Sequence, residues 1–202
     1  MPTGAMPELL RSLSAICVTE GRSAADRTAA ALLAGAPDDS FGLRPPTVFD
    51  IAIRSLLSKG GHPAAAAILS AQDCLPWVDN AIARPLSAEA ADISTYATLL
   101  GPDGPIFAAD LRLGLYYQRP DTYYALHNHD ADETYAIICG EALWTSGEDV
   151  RMRGPGSMIH HPSLMPHAFR SGPEGFLALW RWSGDINLHS YAFLPDPMAG
   201  SV

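Results

Sequence analysis

His127-Asn-His-Asp-Ala-Asp-Glu-Thr-Tyr-Ala-Ile-Ile-Cys-Gly140 places two histidines, a glutamate and a tyrosine at positions 127, 129, 133 and 135. Side chains of an extended strand alternate between its faces, so residues two apart look the same way. His127 and His129 therefore share a face, and Glu133 and Tyr135 keep that parity after the short Asp-Ala-Asp turn. Three ligand-type groups on one buried face form a costly polar cluster unless they hold something. Imidazole nitrogen with carboxylate oxygen suits zinc, iron, manganese, cobalt or nickel. Two His with one carboxylate also leave coordination positions open for substrate. A fourth ligand has to come from another strand, and His167 in HHPSLMPHAF is the candidate, because it follows a Pro-rich turn at the start of an apolar strand. His62, His160, His161 and His189 read as ordinary solvated or hydrogen-bonded histidines.

Outward from this stretch the chain has two grammars. After about residue 92, β-branched and aromatic runs are punctuated by Gly and Pro: STYATLLG, PIFAADLRLGLYYQRP, TYYALHNH, ETYAIICG, EALWTSG, SMIHHP, HAFRSG and FLALWRWSG. About eight short strands without intervening helical patterns predict a sandwich or closed barrel. Residues 1–85 instead read as helices. Pro7 suits a first helical position ahead of Leu9, Leu10, Leu13, Ile16 and Cys17 at three- and four-residue spacing. Ser23 with Asp26 resembles a capping box opening an Ala-rich helix that stops at Gly35. Thr47 and Asp50 open a third helix carrying Phe49, Ile53, Leu56 and Leu57 as far as Gly60-Gly61, and a fourth starts near Pro63. The expectation is a helical extension over 1–85 packed on a β-barrel over 86–202, as one compact unit.

With 202 residues, 48% hydrophobic and 17% charged, the chain is sized for one domain of ordinary globular composition. No uncharged apolar run is long enough to span a bilayer, and the start MPTGAMPELLRSLSAIC lacks the basic and apolar regions of a secretory signal, so a cytoplasmic location is expected. Three scattered cysteines, Cys17, Cys74 and Cys139, argue against a disulfide framework and for reduced, mostly buried thiols. A net charge of −9 with a single lysine, Lys59, excludes nucleic acid and anionic membrane as natural partners, but is compatible with a small cationic or zwitterionic ligand.

His127-x-His129-x3-Glu133-x6-Gly140 resembles the first cupin motif, and Gly156-x5-Pro162-x4-His167 resembles the second. Asp121 and Leu164 stand where those motifs have glycine, and Ser171 where the second has asparagine. The resemblance implies a mainly β fold, a cupin (double-stranded β-helix, jelly-roll-like) barrel behind N-terminal helices. It also implies one divalent metal ion, such as zinc, iron or manganese, held by His127, His129, Glu133 and His167.

Tyr124-x2-His127-x-His129-x3-Glu133-x-Tyr135, then His167 and the Trp-rich LALWRWSGD, resembles the cupin-type dimethylsulfoniopropionate (DMSP) lyases, most of all the DddQ kind. That resemblance implies β-elimination of a zwitterionic substrate to dimethyl sulfide and acrylate, with a tyrosine base and the substrate carboxylate on the metal. Simple alternation from His127 selects Tyr123 for the ligand face, whereas the resemblance selects Tyr124 as base, with Tyr135 as metal-proximal partner or competing base. Trp180 and Trp182 share a strand face, and an indole face attracts a poorly hydrated cation. Trp182 is accordingly expected to receive the sulfonium, with Tyr116, Tyr117 and Trp144 as further wall residues. Two other readings use the same motif: another metal-dependent cupin enzyme, a dioxygenase or isomerase, or a non-catalytic cupin that binds a small ligand. The helices could cover the barrel mouth, form a homodimer surface or complete the core.

Overall fold

The computed structural model describes residues 4–36, 40–79 and 91–198. Four α-helices come first: α1 (Ala5–Thr19), α2 (Ser23–Ala34), α3 (Asp50–Ser58) and α4 (Ala65–Ala71). Each carries its apolar residues in one stripe, as on α1, where Leu9, Leu10, Leu13, Ile16 and Cys17 are buried. Pro7 is not the first helical residue as expected, since α1 starts at Ala5, but it still falls inside the first turn, where its missing N–H has no carbonyl to meet. Ser23 enters α2 as a helical residue and not as its cap, and no side chain caps that end, so the expected capping box does not form. At α3, Asp50 does reach back, accepting a hydrogen bond from the Thr47 amide.

The strands are β1 (Trp77–Asp79), β2 (Ser94–Gly101), β3 (Ile106–Phe107), β4 (Leu111–Gln118), β5 (Tyr123–Asn128), β6 (Ala131–Ser146), β7 (Asp149–Arg153), β8 (Met158–His161), β9 (His167–Gly184) and β10 (Ala192–Phe193). They form one curled sheet in the order β1-β2-β4-β9-β5-β10, with β6 pairing β7, β8 and β9. The fold class expected from the sequence, mainly β with a cupin-type barrel behind helices, is the one observed. Two segments expected as separate strands on either side of Gly140 are one 16-residue strand, and HAFRSG with FLALWRWSG is one 18-residue strand. Both bend in the middle, so β9 pairs β5 with its first part and β4 with its second. Gly140 sits at that bend with φ 71°, where an added Cβ would lie 2.1 Å from the Gly175 carbonyl oxygen. Only glycine satisfies both the left-handed backbone and the close approach.

The sheet's two faces have different company. Leu113, Leu115, Tyr117, Ile138, Leu177 and Leu179 turn outward into one core with the helices. Tyr116, Tyr135, Ile137, Ala178, Trp180 and Trp182 turn inward into a second, aromatic cluster. Tyr117, expected as a pocket wall, therefore belongs to the helix-facing core, with its ring 6.0 Å from that of Phe49. The expected boundary at 85/86 lies outside the described residues, although β1 already joins the sheet through β2. No helix among the described residues is long and apolar enough to cross a membrane.

Candidate metal centre

Strand register brings together residues far apart in sequence. His127 on β5 is the Cα partner of His167 on β9. Glu133 on β6 lies between His161 on β8 and Trp182 on β9. Donor atoms of His129, Glu133 and His167 all lie within 4.8 Å of one another, and all three side chains are buried. His127 stands next to that trio, with its ring 4.0 Å from the ring of His167 and 6.3 Å from that of His129.

The backbone fixes how these rings present themselves. Nδ1 of His127, His129 and His167 faces the carbonyl oxygens of Ala125 (2.8 Å), Ala131 (3.1 Å) and Met165 (2.8 Å), respectively. A proton on each Nδ1 makes those bonds, which leaves the Nε2 lone pair for the centre of the site. Nε2 of His129 and His167 then face Glu133 Oε2 at 3.3 and 3.2 Å. His167 Nε2 is buried without a hydrogen-bond partner. A lone pair directed at a carboxylate oxygen is repulsive unless a cation or a proton stands between them, so this donor set fits a divalent ion.

Glu133 is the hub. Its Oε1 accepts a 2.6 Å hydrogen bond from Trp182 Nε1, and Oε2 faces His161 Nδ1 at 3.4 Å. Burial alone would push its carboxyl up, but the histidines around it, His129 first, hold it well below the ordinary carboxylate range. Burial, then His167, pushes His127 well below the usual histidine value. The same causes bring His161 down to about 4. His161 Nε2 accepts from Trp144 Nε1 at 3.0 Å, so its Nδ1 carries the proton offered to Glu133. Treated as an ordinary histidine in the sequence, His161 is hydrogen-bonded as such, but at the centre of the site. Trp144, expected as a wall, stands behind it.

The cluster opens into a pocket. Its walls are aromatic: Tyr96, Tyr116, Tyr124, Tyr135 and Tyr191, with Phe169, Trp180 and Trp182. Tyr124 lines it whereas Tyr123 points away and donates to Asp196 Oδ2 at 2.9 Å. The physical reason is a register shift between Tyr124 and His127, which breaks the alternation that selected Tyr123. Burial, then the Glu133 charge, push the Tyr135 hydroxyl well above the ordinary tyrosine range, and a dication at the cluster would act in the opposite direction. Trp182 packs on the His129 ring at 4.4 Å while its N–H is committed to Glu133. Tyr191 was missed in the sequence; its ring stacks on both His127 (5.2 Å) and His129 (5.6 Å).

Asp121 and Leu164, the residues at two motif glycine positions, have φ of 53° and 64°. The left-handed conformation of the motif turns is thus kept without glycine. Leu164 uses it to donate its N–H to the His129 carbonyl at 2.9 Å.

Residues 22–178 match the model of the dimethylsulfoniopropionate lyase family. The chain is 37% identical over 112 residues to dimethylsulfoniopropionate lyase DddQ of Ruegeria pomeroyi, which covers 55% of this chain and 56% of that one. It is 35% identical over 91 residues to the putative dimethylsulfoniopropionate lyase DddL of Cereibacter sphaeroides, covering 44% of this chain and 38% of that one. The alignments thus span about half, or less, of those relatives' lengths. The crystal structure of DddQ from Ruegeria pomeroyi superposes with a TM-score of 0.65 at 28% identity, over 95% of this chain and 96% of that one. A structure from work on the DMSP lyases RdDddP and RnDddQII shares the fold with a TM-score of 0.70 at 22% identity, over 95% and 98% of the two chains.

Proposed function

The chain belongs to the dimethylsulfoniopropionate lyase family, and from that premise and the geometry of its site we propose that it cleaves dimethylsulfoniopropionate to dimethyl sulfide and acrylate by metal-dependent β-elimination. The observation that carries this reading is the lining of the pocket: among the described residues, five tyrosines and two tryptophans around a His/Glu cluster, with no Lys or Arg. Such walls accept a sulfonium by cation–π attraction, worth roughly 0.5–2 kcal/mol for each well-placed face. They provide no cationic side chain for the substrate's carboxylate, whose counter-charge has to come from the cluster itself.

His127, His129, Glu133 and His167 are the residues that would hold a divalent ion, read as zinc, iron or manganese. When bound, the ion supplies Lewis-acid stabilisation of the carboxylate as negative charge builds beside it, with no redox change. Trp182, fixed through Glu133, and Trp180 beside it form the wall for the sulfonium end.

Among the described residues, tyrosine hydroxyls are the only other proton-handling groups on the pocket walls. Tyr116 is committed to Gln118 Oε1 at 2.9 Å, and Tyr135 stands next to the Glu133 charge. Tyr124, which lines the pocket with its hydroxyl 2.7 Å from that of Tyr191, is assigned as the base. As the phenolate, a form that a dication at the cluster would favour, it takes the proton from the carbon next to the carboxylate, the C–H electron pair becomes the new double bond, and the C–S pair leaves on sulfur as neutral dimethyl sulfide.

The test is headspace detection of dimethyl sulfide from the purified protein with dimethylsulfoniopropionate, with and without chelator and without oxygen. Release that chelator abolishes and anaerobiosis does not is expected. A folded, metal-loaded protein that releases none would falsify the reading. Loss in Tyr135→Phe with full activity in Tyr124→Phe would transfer the base role to Tyr135, and full metal occupancy in His129→Ala would overturn the ligand set.

A further inference from the structure

The family match ends at residue 178, and Tyr191 lies beyond it on a strap, residues 185–198, that crosses the pocket side of β5. The strap is tied down at several points. Ser190 Oγ accepts from the Asp130 N–H at 2.9 Å, and Leu194 N–H donates to the Leu126 carbonyl at 2.8 Å. Asp196 Oδ2 accepts from both Leu126 N–H (2.8 Å) and Tyr123 Oη (2.9 Å). Between these anchors Ala192 and Phe193 pair with Asn128 and His127. The strap is therefore registered against the strand that carries the first histidine.

That registration delivers one side chain to two jobs. The Tyr191 ring lies within 23° of parallel to His127 and 22° of parallel to His129. His129 is thereby held between Tyr191 and Trp182, whose ring is 4.4 Å away. At the other end, the Tyr191 hydroxyl meets the Tyr124 hydroxyl at 2.7 Å. The backbone carbonyls fix which ring nitrogen each histidine presents, but only packing on the ring faces fixes the tilt about the Cβ–Cγ bond.

We propose that Tyr191 is a positioning residue of the reaction, its ring orienting His127 and His129 for the metal and its hydroxyl aiming Tyr124 at the substrate. The hydroxyl role rests on the assignment of Tyr124 as base; the ring role does not. Both use contacts that the C-terminal strap alone provides.

The experiment uses the full chain, stripped of metal and titrated with cobalt(II) by visible absorption, alongside kcat and KM for dimethyl sulfide release. Tyr191→Phe keeps the ring, so cobalt affinity and KM should stay within about two-fold while kcat falls roughly ten-fold. Tyr191→Ala should also weaken cobalt binding by about ten-fold or more and alter its spectrum, the scale of a lost ligand-orienting contact. Should Tyr191→Ala not fold, Tyr191→Leu, which keeps bulk but no ring face, carries the same titration. Tyr124→Phe/Tyr191→Phe should be no slower than Tyr124→Phe. Undiminished kcat in Tyr191→Phe, or independent losses in the double variant, overturns the hydroxyl role. Unchanged cobalt affinity and spectrum in the variant without a ring overturns the ring role. Full activity in Tyr124→Phe would remove Tyr124 as base and the hydroxyl role with it, and the cobalt titration would still decide the ring.

Discussion

Removing Glu20 should destabilise the protein far more than its place at the end of a helix suggests. Arg181, between Trp180 and Trp182 on β9, has a side-chain exposure of 0%, and Glu20, just past α1, has 5%. Arg181 Nε and Nη2 donate to the two Glu20 oxygens at 2.8 and 2.5 Å, and Thr134 Oγ1 donates to Oε1 at 2.9 Å. Glu20→Ala leaves a buried guanidinium with Ser183 Oγ at 2.9 Å, Thr134 Oγ1 at 3.3 Å and the Asp132 carboxylate at 3.7 Å. Breaking a buried pair by removing one partner costs about 3–5 kcal/mol. Asp132 softens the loss, so the lower end, roughly 3 kcal/mol, is expected. At about 2–4 °C per kcal/mol for a chain this size, that is a fall in Tm of roughly 6–12 °C. Urea and thermal unfolding read it directly. Glu20→Leu/Arg181→Met, which removes both charges, should recover most of the loss, because most of the cost is the orphaned charge and not the missing attraction. A Glu20→Ala loss under about 1 kcal/mol, or a double variant worse than either single one, would refute this reasoning.

Three further outcomes are expected. Trp182→Phe keeps the ring against His129 but leaves Glu133 Oε1 without its 2.6 Å donor, so metal affinity should drop about ten-fold, and unchanged affinity in a competition titration would contradict this. Leu164, 53% exposed with φ 64°, stores left-handed strain: Leu164→Gly should be neutral to about 1 kcal/mol stabilising and Leu164→Val destabilising, and the reverse order in urea unfolding would count against strain. Asp50 is held well below the usual carboxylate range, first by its hydrogen bonds from Arg44 at 2.6 and 3.0 Å. A depressed folded pKa means stability that is fully present above the unfolded value of about 3.9 and is lost as pH falls through the folded one. Asp50→Asn should therefore cost roughly 2–3 kcal/mol at pH 7 and progressively less below pH 4, and a pH-independent difference would show that the charge is not what stabilises.

Much of the site was legible because it depends on period and residue type. The spacing of His127, His129 and Glu133 put ligand-type groups on one face, and the helical stripe of Leu9, Leu13 and Ile16 named its own buried side. What escaped depends on non-local geometry. Strict alternation chose Tyr123, and only the irregular register of β5 against β9 turns Tyr124 inward. Tyr117 and Tyr116 are neighbours with similar sequence surroundings, yet one faces the helices and the other the pocket. Nothing in the spacing marks His161, which reaches Glu133 only because β8 pairs with β6, or Tyr191, which reaches the histidines because a strap folds back on β5. Asp121 and Leu164 show the opposite case: departures from a motif's residue types that leave its backbone conformation intact.

Glu133 explains why the site needs support from so many directions. It is a carboxylate 2% exposed, on the inner face of a barrel whose pocket wall, among the described residues, includes no Lys or Arg. An isolated charge there would cost several kcal/mol, and its surroundings answer with two donors, Trp182 on β9 and His161 on β8, while His129 and His167 face its other side. Trp182 and His161 have their other contacts fixed by His129 packing and by Trp144, so neither can leave Glu133 without losing a second partner. Trp182 is in turn next to Arg181, whose pair with Glu20 anchors β9 from the helical side. The carboxylate is thus held from the helix-facing side through β9 and from the pocket side through aromatic rings, which leaves the Nε2 lone pairs of His129 and His167 and one Glu133 oxygen converging on a single point. Such convergence is unfavourable for these groups by themselves and favourable around a cation, so the metal-free protein should be the less stable form. Thermal unfolding with stoichiometric zinc or manganese against chelator measures that difference, and equal Tm values would mean that the convergence is relieved by a shared proton instead.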